Sequence, residues 1–190
     1  VTNEISKRIT KLSILGKNHT PNFYDYTKAK YYPKLREIFN ERQTICCMRL
    51  FLMCEDIYKS AERVLYVDSD VICMQSISEI ESLDFHDKAF AAVRNSKQDT
   101  KIICNVKVEN VFNAGILLFN VDKWRDTTEH THQMFAFLKK YRPILADQDA
   151  LNVLYQDNYV WLSDYWNYSC EYKYRKAEFE KIQFLHFTGP

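Results

Sequence analysis

Two carboxylates stand one residue apart in "RVLYVDSDVI", directly after a run of apolar residues. In an extended backbone, residues i and i+2 share a face, so Asp68 and Asp70 converge while Ser69 points away. Converging carboxylates repel, and a hard divalent cation relieves the repulsion by taking them as oxygen ligands. They lie past the carboxyl end of a predicted strand, where open α/β sheets bind ligands. D-x-D is short and common, however, and a surface turn in which the acids only cap the next element is the plainer alternative.

Further candidate chemistry lies elsewhere in the chain. Only three glycines occur, Gly16, Gly115 and Gly189. In "VFNAGILLFN", Gly115 and Ala114 are small enough for a ligand to approach the backbone, and Asn113 offers both donor and acceptor. In "FLHFTGP", His186 precedes a Thr-Gly-Pro turn that contains Gly189. A lone histidine at a strand end is usually a packed residue. Beside two carboxylates, its imidazole completes a donor set that suits Mn²⁺. Arg49 is the single basic residue in the apolar stretch 45–54. A cation there needs an anion unless it snorkels outward.

The elements that must position these groups alternate in type. "TICCMRLFLMCEDIY" (44–58) lacks Gly and Pro and reads as a buried helix with Thr44 as N-cap. Residues 63–68, 89–95, 113–121 and 181–187 read as strands. Residues 129–143 and 147–157 read as helices, the first stopped by Pro143. "ITKLSIL" (9–15) fits a strand or the end of a helix. The polar stretch 95–110 reads as a loop of the kind that covers a site. Strands alternating with helices predict an α/β fold with a largely parallel sheet.

Composition sets the frame for that fold. A chain of 190 residues, 46% hydrophobic, has enough length for one domain with a substantial core. With 26 basic and 25 acidic residues, neither nucleic acid nor an acidic partner is indicated. Residues 1–45 nevertheless carry nine Lys/Arg against four Asp/Glu. That surplus is either a solvated face or a contact for an anionic surface. No run approaches the roughly 18 apolar residues of a membrane helix, and nothing at Val1 reads as a signal peptide. The chain starts without Met, so upstream sequence is expected. Cys46, Cys47, Cys54, Cys73, Cys104 and Cys170 show no C-x-x-C spacing, and they read as buried reduced thiols of a cytosolic protein.

Taken in order, "RVLYVDSDVI", "VFNAGILLFNVDKWR", "ADQDALN" and "FLHFTGP" resemble glycosyltransferase family 8 over residues 44–190. The resemblance implies a retaining sugar transferase of the GT-A fold, like the bacterial lipopolysaccharide galactosyl- and glucosyltransferases. It further implies that Asp68, Asp70 and His186 hold Mn²⁺, with Mg²⁺ as an alternative, on the diphosphate of a UDP-galactose or UDP-glucose donor. By the same resemblance Arg49 faces the donor sugar and phosphates, an ion pair with Glu55, Asp56 or a D-x-D acid being its competing role, and Asp147 hydrogen-bonds sugar hydroxyls. Gln148 lies near the anomeric carbon, while Asn113, Ala114, Gly115 and Gly189 belong to the donor pocket. Asp147 fits equally well as a helix N-cap. Trp161, Tyr165 and Trp166 offer stacking faces for an acceptor sugar, although core packing is their commoner use.

Two family features find no counterpart: a first strand followed by Asp-x-x-Tyr, and a Lys-Pro-Trp-like end. The chain is therefore expected to be a GT-A domain incomplete at both ends. The acceptor is expected to be a glycan or lipid-linked sugar, and the setting cytoplasmic with peripheral membrane contact. A non-catalytic binding module of the same fold and a glycogenin-like self-glucosylating enzyme are the alternatives. A metal-dependent phosphohydrolase would explain D-x-D but not the other motifs.

Overall fold

The structure is a computed structural model that describes residues 24–51, 58, 60–95, 100–124, 128–170 and 179–188. The segment 9–15, Glu55, Asp56, Cys54 and Gly189 lie outside the described residues. The described strands are β1 (Arg63–Val67), β2 (Val71–Cys73), β3 (Phe90–Arg94), β4 (Thr100–Ile103), β5 (Val106–Glu109), β6 (Phe112–Asn120), β7 (Tyr159–Leu162), β8 (Tyr168–Ser169) and β9 (Phe184–His186). The α-helices are α1 (Tyr32–Arg36), α2 (Glu41–Met48), α3 (Val121–Trp124), α4 (Thr128–Tyr141) and α5 (Ala146–Leu154).

The main sheet has the order β1-β6-β3-β7, and a smaller one the order β2-β9-β8. β6 is apolar almost throughout and buried on both faces, as a central strand must be. Phe90, Ala92, Leu117 and Phe119 point to one face, where residues of α2, α4 and α5 cover them. Ala91, Val93, Ile116 and Leu118 point to the other, against Ile80, Phe85, Trp166 and Phe184.

The largely parallel sheet expected from the sequence needs correction. In the main sheet β6 pairs antiparallel with both β1 and β3, and only β3 with β7 is parallel. β1, β3 and β7 therefore share one direction, with β6 reversed between two of them. A parallel return needs a long crossover, usually a helix. The described part of 95–111 holds instead the hairpin β4–β5, so the chain comes back alongside β3 in the opposite sense. This hairpin also replaces the loop expected there. Cys104 and Asn105 both have positive φ (51° and 65°), as a two-residue hairpin turn of the primed type requires.

The helix expected at 44–58 begins earlier and is shorter. Asn40 is its N-cap, accepting from the Gln43 N–H at 2.9 Å. Thr44 is buried within it and donates its hydroxyl to the Asn40 carbonyl. The helix ends at Met48, which leaves Arg49 at the C-cap. The thiols differ from expectation as well. Cys46, Cys47, Cys73, Cys104 and Cys170 are free, but only Cys47 is buried, and Cys73 is exposed.

Candidate active site

Two antiparallel pairings assemble the acidic corner. β1 runs beside β6 with Val67 opposite Ile116, and the Asp68 N–H continues the ladder to the Gly115 carbonyl at 2.9 Å. β2 runs beside β9 with Val71 opposite His186, and the Phe187 N–H bonds the Asp70 carbonyl at 2.9 Å. His186 is thereby brought from the far end of the chain to the D-x-D turn. Its Nε2 lies 3.4 Å from Asp70 Oδ1 and 4.0 Å from Asp68 Oδ2. One ligand atom from each of the three residues falls within 4.8 Å of the others.

The donor set fits a divalent cation on chemical grounds. Two carboxylate oxygens and one imidazole nitrogen suit Mn²⁺. His186 Nδ1 is 2.8 Å from Asn167 Oδ1, an oxygen that can only accept. Nδ1 is therefore the nitrogen that donates to Asn167, and Nε2 is the one that faces the acids and would ligate a metal. Asn167 is itself oriented, because its Nδ2 donates to Asn113 Oδ1 at 2.8 Å. The same Asn113 oxygen accepts from the Gly115 N–H at 2.8 Å.

Gly115 makes room for this ring. A Cβ at that position would lie 2.2 Å from His186 Cε1 and 2.7 Å from Nδ1. The close approach foreseen for a ligand is thus made by His186. A bulge in β6 sets up the geometry: Ala92 opposes Leu117 while Val93 opposes Asn113, so residues 114–116 have no partners on β3. Bulges of this kind re-aim backbone beside sites.

Arg49 forms the other half of the site and is only 6% exposed. Its Nε lies 2.7 Å from Asp147 Oδ2, and one terminal nitrogen lies 3.0 Å from Asp68 Oδ1. The other terminal nitrogen donates to the Ala114 carbonyl at 2.5 Å, and Nε donates to the Cys46 carbonyl at 3.2 Å. The guanidinium rests on the Tyr66 ring, 4.1 Å from its centroid, and the Tyr66 hydroxyl donates to Asp68 Oδ1 at 2.6 Å. These partners are protein groups, so Arg49 is first an organiser of the site rather than a residue reserved for ligand.

Asp147 is the second residue of α5, not its N-cap, which is Leu145. Its Oδ2 makes no directed hydrogen bond, so its compensation is the nearby Arg49 charge. Burial pushes the carboxyl up to about 6, against the opposing pull of Arg49 and of the backbone N–H groups of Asp147 and Gln148. Gln148 Oε1 accepts from the Ala114 N–H at 2.9 Å. Asn152, one turn further, accepts from the Phe112 N–H and donates to the Phe112 carbonyl, clamping α5 to β6.

Arg49, Asp68, Ala114, Gly115, Asp147 and Gln148 line one open cleft of about 450 Å³, together with Asn40, Arg42, Gln43 and Cys46. Asn113 does not line it, being turned toward Asn167. Trp166 is buried against Phe184, whereas Trp161 is 41% exposed and packs edge-on to Tyr159. Sequence reasoning missed Asn167, Asn152 and Tyr66. The available signal for Asn167 was an amide within the aromatic run Tyr165–Tyr168.

The sequence profile of Glycosyl transferase family 8 matches residues 6–190, which extends the likeness well ahead of residue 44. The chain belongs to this family. Glycosyltransferase GlyE of Streptococcus pneumoniae is 31% identical over 129 residues, covering 67% of this chain and 29% of the relative. The lipopolysaccharide 1,3-galactosyltransferase of Salmonella typhimurium is 25% identical over 158 residues, covering 74% of this chain and 46% of the relative. The chain thus spans less than half the length of these curated relatives. Among solved structures, the bifunctional glycosyltransferase WbbM superposes over 100% of this chain and 39% of its own, with a TM-score of 0.72 at 17% identity. The galactosyltransferase LgtC, solved with donor and acceptor sugar analogues, superposes over 84% of this chain and 64% of its own, with a TM-score of 0.63 at 19% identity. These likenesses establish the GT-A fold for the family 8 chain.

Proposed function

We propose that this chain is the catalytic part of a metal-dependent, retaining hexosyltransferase. It takes a hexose from a UDP-sugar, galactose or glucose, and delivers it to a glycan or lipooligosaccharide hydroxyl. The observation that carries this reading is the meeting of Asp68, Asp70 and His186 beside a cleft that Asp68 lines together with Arg49, Asp147 and Gln148.

In the reaction, the anomeric C–O bond breaks and its electron pair stays on the diphosphate. An acceptor oxygen bonds to the anomeric carbon on the same face, and its proton passes to the departing phosphate oxygen. Asp68, Asp70 and His186 would hold Mn²⁺, or Mg²⁺, against the diphosphate; the bound cation supplies the Lewis acidity that favours this departure. Arg49, in contact with Asp68, adds fixed positive charge beside that cation while keeping Asp68 and Asp147 in place. Asp147 and Gln148 face the cleft from the first turn of α5 and orient the sugar. The basic residues 1–45 and the free thiols support a cytoplasmic setting at an anionic membrane surface.

Incubation with labelled UDP-galactose or UDP-glucose, with and without Mn²⁺, tests the reading. Metal-dependent release of UDP and label on an added glycan are expected. Label bound covalently to one of the protein's own tyrosines would replace the glycan acceptor by self-glycosylation. Neither sugar release nor transfer with any UDP-hexose would overturn the proposal.

A further inference from the structure

A second cavity, of about 440 Å³, adjoins the catalytic cleft, and Ile144 and Leu145 line both. Its other walls include Ile102 and Lys101 from β4 and Arg142 at the end of α4. Three large apolar side chains here are open to solvent: Ile144 at 88%, Ile102 at 73% and Leu145 at 44%. Isolated exposed aliphatics need no explanation, but a cluster around one concavity marks a contact surface. The segment that presents Ile144 is bracketed by Arg142 and Ala146, both with positive φ (43° and 34°). Residues with a Cβ rarely adopt such backbone, and where they do it marks a segment held by its surroundings. Among the described residues, Lys101 and Arg142 have no carboxylate partner.

We propose that this cavity binds the aglycone of the acceptor, and that the aglycone is apolar and carries an anionic group such as a phosphodiester. The inference rests on the transferase reading above and specifies its acceptor. Continuity with the cleft through Ile144 and Leu145 puts the occupant next to the sugar being extended. The apolar side chains take its hydrocarbon, and Lys101 and Arg142 take its negative charge. The single carboxylate among the lining residues, Asp149, is buried and accepts from the Leu145 N–H at 3.0 Å, so part of its charge is met by the wall itself.

The test compares one sugar in three forms: free, as its octyl glycoside, and as its octyl phosphodiester. Each is measured as acceptor with UDP-hexose and Mn²⁺, and as ligand by calorimetry without donor. Binding and kcat/KM should rise from free sugar to octyl glycoside to octyl phosphodiester. Ile102→Ser, on an exposed hairpin, should remove about tenfold of the gain from the octyl chain. It should leave donor hydrolysis and transfer to free sugar unchanged. Lys101→Ala with Arg142→Ala should erase only the advantage of the phosphodiester. Equal use of all three forms, or an Ile102→Ser loss shared by free sugar, would overturn the proposal. Octyl phosphodiester binding that depends on Ile102, without transfer to any acceptor, would keep the subsite and overturn the transferase reading.

Discussion

Replacing Arg49 by Ala exposes the energetics of the site most sharply. The change leaves Asp147 buried without its 2.7 Å counter-charge and frees Asp68 and the Ala114 carbonyl at the same time. Two unit charges about 4 Å apart interact by roughly 4 kcal/mol at an effective dielectric of 20. Removing one partner of a buried pair costs about 3–5 kcal/mol, which agrees. At about 2–4 °C per kcal/mol for a chain of this size, the melting temperature at pH 8 should fall by about 6–20 °C.

The pH dependence gives the loss a signature. Asp147 titrates near 6 in the folded protein against 3.8 as a free side chain, so the folded state holds a proton that the unfolded state has released between those values. Its contribution to stability is therefore present at low pH and is lost as pH rises through about 6. Without Arg49 the carboxyl titrates higher still, because the opposing charge is gone. The destabilisation of Arg49→Ala should then be large at pH 8 and smaller at pH 5. Adding Asp147→Asn, which neutralises the stranded acid, should recover more than half of the loss at pH 8. Urea denaturation of the wild type, the two single variants Arg49→Ala and Asp147→Asn, and the double variant at both pH values measures this. Native-like stability of Arg49→Ala at pH 8, or a loss indifferent to both pH and Asp147→Asn, would refute the reasoning.

Three further outcomes follow from the contacts around the site. Gly115→Ala forces the His186 ring aside, since its Cβ would sit 2.2 Å from Cε1; Mn²⁺ affinity read by electron paramagnetic resonance should fall by at least about tenfold. Asn167→Ala removes the acceptor that fixes the His186 proton on Nδ1. Nitrogen-15 imidazole shifts should report a mixture of tautomers, and Mn²⁺ affinity should drop by about 10–100-fold. Asn152→Leu leaves the Phe112 N–H and carbonyl without their partner, and chemical denaturation should show a loss of about 2–4 kcal/mol.

The strands of the main sheet were legible because their residues say so directly: "RVLYV", "FAAV" and "NAGILLFN" are short, apolar and rich in branched or aromatic side chains. The helices α4 and α5 start within one residue of the expected positions and end two and three residues short of them. Strand direction was not legible, because it depends on what joins β3 to β6, and the hairpin there is signalled only by alternation across Cys104 and Asn105. Asp68, Asp70 and His186 were grouped by donor type and by the family resemblance, since the pairing of β2 with β9 that joins them is long-range and leaves no local mark. The burial of Arg49 was foreseeable from its apolar context. Its partner Asp147 was not, because a helix start and an inward carboxylate look alike in sequence. Asn167 acts through His186 across the β8–β9 pairing, and no spacing rule reaches that far.

Calorimetric titration of UDP into the protein, with and without Mn²⁺, tests the central claim most directly. Asp70 is half-exposed, and Asp70→Asn keeps its shape while removing its charge. The wild-type chain should bind UDP in the presence of Mn²⁺ and at least tenfold more weakly without it, a difference of about 1.4 kcal/mol or more. Asp70→Asn should abolish the metal effect without lowering the melting temperature. UDP binding that is indifferent to Mn²⁺, or that keeps its full metal dependence in Asp70→Asn, would contradict a cation held by Asp68, Asp70 and His186 against the donor diphosphate.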